Sequence, residues 1–233
     1  MEPIRVLIAE DSEFMRIAYM RILESESSLC VVALAADGET AVNQAIEMGP
    51  DVSIIDIRLP KLDGIKAAHK ILQKHPKMGI VIISAYDDLA FVADLMQNSP
   101  ARKAFLLKTS LSTISELIRI VEAVHQGQTV LDPSIVQRLS RLYSKHPNTL
   151  TASLSEPEQD MLGLMAEGYD DSFIGRALHL NEEQVEEQSN SIFSKLGLSE
   201  GAALDRRIKA IQAFVDGINA IPISSASPMP TLS

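Results

Sequence analysis

The chain has 233 residues, 46% of them hydrophobic and 22% charged, with a formal net charge of −10 and a single cysteine. At roughly 100 to 200 residues per domain, that length predicts two domains, and the composition excludes disordered, collagen-like and low-complexity classes. No apolar window approaches the ~18 residues of a membrane span and the amino terminus lacks a signal-type pattern, so a cytoplasmic protein is expected, with Cys30 as a buried, inert thiol and no disulfide or cysteine-built metal site.

Ile4-Arg5-Val6-Leu7-Ile8-Ala9 is a β-branched apolar run without polar alternation, as expected of a strand buried on both faces of a parallel sheet, and it ends in Glu10-Asp11. A helical pattern follows from Ser12, with Phe14, Ile17, Ala18, Met20 and Leu23 on its apolar positions. Four more apolar runs, Cys30 to Ala36, Val52 to Ile55, Met78 to Ser84 and Ala104 to Leu107, alternate with helix-like segments at Gly38 to Met48, Gly64 to Lys74 and Ala90 to Gln97. Ser112 to His125 closes the series at Gly127, a plausible helix cap. The βα alternation predicts an α/β domain over residues 1–127, a doubly wound five-stranded parallel sheet with helices on both faces.

Residues 128–153 read as a linker with one short helix, begun by Asp132-Pro133 and reaching Tyr143, then a flexible stretch from Ser144 to Thr149. Ser155-Glu156-Pro157-Glu158 has capping-box spacing and starts a small all-α domain over residues 154–218. Its helices run to Gly168, from Asp171 to Leu178, from Glu182 to Leu196 with Asn181 as N-cap, and from Ala202 to Gly217. The second and third have the spacing of a helix-turn-helix. Residues 219–233, rich in Ser and Pro, read as a disordered tail.

The negative charge is concentrated. Residues 1–150 hold 16 basic and 18 acidic side chains (−2), residues 151–200 hold 2 and 11 (−9), and residues 201–233 hold 3 and 2 (+1). Affinity for nucleic acid comes largely from Lys and Arg on phosphates, so the small domain is poorly provided for it.

In an open parallel sheet the functional groups collect at the carboxyl ends of the strands. Those ends carry Glu10-Asp11, Asp56, Ser84 and Lys108. Carboxylate oxygens suit a hard cation such as Mg²⁺, a cation and an ammonium together stabilise a phosphoryl group in transfer, and an aspartate can be its acceptor. Asp56, which ends the central strand, is the expected nucleophile.

This set resembles the receiver domain of two-component response regulators over about residues 3 to 127. Asp56-Ile57-Arg58-Leu59-Pro60-Lys61-Leu62-Asp63-Gly64 and Leu106-Leu107-Lys108 carry the resemblance with the strand-end residues. It implies that Asp56 takes the phosphoryl group from a sensor histidine kinase. Glu10, Asp11, Asp56 and the backbone carbonyl of Arg58 would hold Mg²⁺, and Lys108 would pair with the phosphoryl group. Ser84 and Phe105 would form a switch pair, the hydroxyl moving to the phosphoryl oxygen and the ring turning into the vacated space. One departure is the stretch from Met96 to Phe105, a residue longer than the family's usual turn.

Residues 155–198 resemble the output domain of the NarL/FixJ/LuxR class, through Leu154-Ser155-Glu156-Pro157-Glu158, Met165-Ala166-Glu167-Gly168-Tyr169, Ile174-Gly175-Arg176-Ala177-Leu178 and Lys195-Leu196-Gly197-Leu198. A phosphorylation-switched transcriptional regulator, homodimeric when phosphorylated, is the implied function. Where that class usually offers Lys, Thr, Lys and His to DNA, Glu183, Gln184, Glu186 and Gln188 stand here, and His179 replaces the turn glycine. Gln184 and Gln188 retain donors for base edges, and Lys195 and Arg176 are the cations at hand.

Two other functions compete. A recognition helix that has lost DNA turns the output domain into a protein-interaction module. A turnover phosphatase uses similar carboxylates, but needs a second acid where Arg58 stands. The apolar stripe Leu204, Ile208, Ile211 and Val215 motivates a dimer, being longer than a four-helix core requires.

Overall fold

The structure is a computed structural model that describes residues 2–111, 113–143 and 153–220. Ser112, the expected flexible stretch from Ser144 and the expected tail beyond residue 220 lie outside the described residues. Five strands appear where the apolar runs stand: β1 (Ile4–Ala9), β2 (Leu29–Ala35), β3 (Val52–Asp56), β4 (Gly79–Ser84) and β5 (Lys103–Leu107). They alternate with α1 (Glu13–Glu24), α2 (Gly38–Met48), α3 (Gly64–Lys74), α4 (Leu89–Met96) and α5 (Ile114–His125).

A sixth strand corrects the expected five. β6 (Val130–Leu131) pairs with β5, Phe105 standing opposite Leu131, and the parallel sheet has the order β2-β1-β3-β4-β5-β6. Two residues are too short a run to carry a periodic signal, which is why sequence reasoning missed it. Asp132 fixes the pairing: fully buried, it accepts from Leu107 N at 2.9 Å and Ser134 N at 2.9 Å, and so ties β5 to α6 (Pro133–Tyr143).

The strands lack alternation because both faces of the sheet are covered. Val6, Ile8, Ile54, Val81, Ile83 and Leu106 pack with Tyr19 and Leu23 of α1 and with Leu117 and Val121 of α5. Leu7, Ile55, Ile80, Ile82 and Phe105 face α2, α3 and α4. At the amino-terminal edge of the sheet, cations serve the carbonyls left open at helix ends. Arg5 donates to Met48 O and Gly49 O below α2, Arg102 to His125 O below α5, and the buried Lys103 to Leu95 O of α4, at 2.7, 2.9, 2.7 and 2.7 Å in that order. The other edge is left for chemistry.

Two side chains depart from expectation. Cys30 is exposed, because β2 is the outer strand of the sheet and is incompletely covered. Phe14, expected on the apolar stripe of α1, is 79% exposed, and α1 buries Tyr19 and Leu23 instead.

The second unit contains α7 (Glu156–Ala166), α8 (Asp171–Leu178), α9 (Glu182–Lys195) and α10 (Ala203–Ala220). The expected capping box of Ser155 with Glu158 forms, and the expected N-cap Asn181 forms a second box with Gln184. The α8–α9 turn closes tightly on Gly175, where a Cβ would stand 2.9 Å from Leu180 O. α10 packs on α4 as well as on α6, α7 and α9, so Ile211 and Val215 are buried within the chain and only Leu204 of the stripe is largely exposed. Arg119 of α5 reaches across to Gly168 O at 3.2 Å, with its guanidinium 4.7 Å from the centre of the Tyr169 ring. Among the described residues no helix is long and apolar enough to cross a membrane.

Candidate functional site

β1 and β3 are neighbours at the centre of the sheet, so the acids that end them meet. One carboxylate oxygen from each of Glu10, Asp11 and Asp56 lies within 4.8 Å of the others, with Glu10 and Asp56 buried and Asp11 exposed. Lys108, just beyond β5, bridges the buried pair: its Nζ is 2.9 Å from Glu10 Oε2 and bonds Asp56 Oδ2. The other Asp56 oxygen, Oδ1, accepts from Arg58 N at 2.9 Å. Gly64 lets the loop after β3 lie close on that strand, since a Cβ there would stand 2.2 Å from Asp56 O.

Burial raises Glu10 to about 7, the adjacent Asp56 adds to the rise, and the hydrogen bond from Lys108 opposes it. Burial alone would lower Lys108, but its hydrogen bonds to Asp56 and Glu10 outweigh that and hold it above its usual value. Two buried carboxylates with a single ammonium between them, and a third carboxylate at the rim, form an oxygen donor set that fits a hard divalent cation such as Mg²⁺.

Ser84 ends β4 beside this group. Its backbone carbonyl accepts from Lys108 N at 2.7 Å, and its hydroxyl is committed to the turn that follows, accepting from Tyr86 N at 2.9 Å and donating to Tyr86 O at 2.8 Å. The Arg58 guanidinium lies 4.2 Å from the centre of the Tyr86 ring. Phe105 is fully buried between Ile82 of β4 and Leu131 of β6, so its ring has no exposed position from which to turn inward. Tyr86 was not singled out in the sequence, and Asp132 only as a helix start, because their places rest on contacts rather than on a motif.

In the output unit two of the residues considered for DNA, Gln184 and Lys195, are engaged elsewhere. Gln184 accepts from Asn181 N at 2.9 Å within the capping box. Gln188 is half-buried, its Oε1 covered and without a partner. Lys195 Nζ bonds both oxygens of the buried Glu158, at 2.8 and 2.7 Å. The exposed face of α9 carries Glu182, Glu183, Glu186 and Glu187.

Comparison with known proteins agrees with this geometry. The model of the response regulator receiver domain matches residues 6–122. The transcriptional regulatory protein DegU of Brevibacillus brevis is 28% identical over 231 residues, covering 92% of this chain and 94% of its own. A LuxR-family two-component response regulator from Aurantimonas sp. SI85-9A1 superposes with a TM-score of 0.56 at 26% identity, over 61% of this chain and 99% of that one. The RcsB response regulator of Salmonella typhimurium shares the fold over 95% of this chain and 100% of its own, with a TM-score of 0.52 at 21% identity. The receiver match over half the chain and the relatives along most of its length show that this protein belongs to the response regulator family, as a phosphorylation-switched transcriptional regulator of the LuxR class.

Proposed function

We propose that Asp56 accepts a phosphoryl group from a sensor histidine kinase in the cytoplasm, and that this event switches the output unit. The observation that carries the reading is the Lys108 ammonium bridging Glu10 and Asp56 at the carboxyl edge of the sheet. Asp56 Oδ2 attacks the phosphorus and the donor's oxygen or nitrogen leaves with the bonding pair. Lys108 holds the phosphoryl oxygens, and Ser84 is the hydroxyl on the neighbouring strand that can bond one of them. Glu10, Asp11, Asp56 and the Arg58 carbonyl would hold Mg²⁺, which supplies positive charge against the oxygens of the transferring group. The protein carries the phosphoryl group as a signal and is not a turnover enzyme.

For the output step, we infer regulation of transcription by a homodimer in which α10 leaves α4 and exposes its apolar stripe. DNA contact through α9 is weak, because Lys195 is neutralised by Glu158 while the acids of α9 face outward. Those same acids favour a second reading, in which the output unit binds a protein partner. Full-length protein treated with a small phosphodonor and Mg²⁺ tests the switch: light scattering should register a dimer, and a shift assay on duplex DNA at two salt concentrations separates the readings. Salt-sensitive DNA binding gained on phosphorylation supports a DNA regulator; dimerisation without DNA binding supports the protein-interaction module. A monomer in both states contradicts the homodimer.

A further inference from the structure

α6 is the helix by which the chain leaves the receiver unit, and it touches the turn that begins at Ser84. Ile135, Val136 and Leu139 bury one face of α6 in the core shared with α7 and α10. On its other face Arg138 pairs with Asp87 Oδ2 at 3.1 Å and donates to Asp87 O. Asp87 follows Tyr86, whose backbone holds the Ser84 hydroxyl through two hydrogen bonds, and precedes Asp88, the N-cap of α4. α4 in turn carries α10. The path from acceptor to output thus runs through three successive residues, the middle one gripped from outside by one guanidinium.

A phosphoryl group on Asp56 adds nearly two negative charges and three acceptor oxygens beside a strand whose last hydroxyl already has partners. For Ser84 to donate to it, the bond from its hydroxyl to Tyr86 O must break, which frees the Tyr86–Asp87 backbone to move. Arg138 opposes that movement, since it holds Asp87 by backbone and side chain together. We propose that Arg138 is a positioning residue for the phosphorylation switch, its grip on Asp87 keeping the turn after β4 in the form that bonds Ser84 to Tyr86. The inference rests on Asp56 being the acceptor. By linkage, whatever stabilises the unswitched turn weakens binding of anything that requires the switched one.

The test is the dissociation constant of the full-length protein for fluoroberyllate, a phosphoryl mimic, in saturating Mg²⁺. Arg138→Ala should lower it by roughly two- to fivefold, the range open to an exposed ion pair, and Arg138→Lys, which keeps the charge, should return it toward the wild-type value. Asp87→Asn, on an exposed turn, should tighten binding similarly, and adding it to Arg138→Ala should give little more; this variant keeps the test open if Arg138→Ala fails to fold. An unchanged constant in Arg138→Ala and Asp87→Asn, or an equal shift in Arg138→Ala and Arg138→Lys, overturns the role of Arg138 alone. Absence of Mg²⁺-dependent fluoroberyllate binding in the wild type overturns the acceptor reading and this inference with it.

Discussion

Lys195 at the end of α9 closes on both oxygens of Glu158 at the start of α7, at 2.8 and 2.7 Å. Glu158 is 6% exposed and is also bonded by Ser155 N and the Ser191 hydroxyl, each at 2.7 Å. The pair clamps the first and third helices of the output unit, which turns a cation otherwise available to phosphate into a structural one.

Removing the ammonium leaves a buried carboxylate short of a partner. Lys195→Met should therefore cost about 1–2 kcal/mol, less than a fully buried pair because Lys195 is partly exposed. Burial would raise Glu158, but the hydrogen bonds from Lys195, Ser155 and Ser191 outweigh it and hold it at about 2. A depressed folded pKa gives stability that is present above the unfolded value near 4.5 and lost as pH falls toward 2. Denaturant unfolding from pH 7 to pH 2.5 should show that loss in the wild type, and a smaller acid-dependent loss in Lys195→Met.

The opposite sign is expected at Glu167, in the junction between the receiver and output units. Burial raises it to about 7, the charge of Asp132 adds to this, and Arg119 opposes it. A raised acid contributes stability below its unfolded pKa, lost as pH rises through about 4.5 to 7. Glu167→Gln, which imitates the protonated form, should be the more stable protein at pH 8 and no more stable than wild type at pH 4.5. Thermal unfolding at the two pH values decides it, and equal differences at both would contradict the assignment.

His179 ends α8 with a φ of 58°, the left-handed region that favours glycine. Replacing a side chain there by glycine removes local strain. His179→Gly should raise the stability of the protein by about 1 kcal/mol, read as a shift in the denaturant midpoint at unchanged slope.

The acids of α9 lead to a prediction about DNA. Glu183→Lys with Glu186→Lys should raise non-specific affinity for duplex and steepen its salt dependence, by about 0.9 in the log–log slope per new phosphate contact and so by nearly 2 for both. A wild type that binds a specific duplex at ~10⁻⁸ M or tighter at physiological salt would place the DNA-binding cations outside this helix.

Much of this was legible because the chemistry sits at strand ends and the strands are uninterrupted apolar runs. Glu10, Asp11, Asp56, Ser84 and Lys108 fall on one edge of the sheet by their places at or just beyond strand ends alone. Apolarity does not say which face is covered, so Cys30 and Phe14 were expected inside and are exposed. The contacts that constrain function join distant residues: Asp87 with Arg138, and Glu158 with Lys195, are separated by 51 and 37 positions, and no local pattern announces them. The place of Leu131 beside Phe105 depends likewise on a two-residue strand.

The central claim is that Asp56 is the acceptor, and intact mass measures it directly. Full-length protein incubated with a small phosphodonor and Mg²⁺ should gain the mass of one phosphoryl group, and Asp56→Asn, whose amide is a poor nucleophile and a poorer Mg²⁺ ligand, should gain none. An unchanged gain of one phosphoryl group in Asp56→Asn would contradict it.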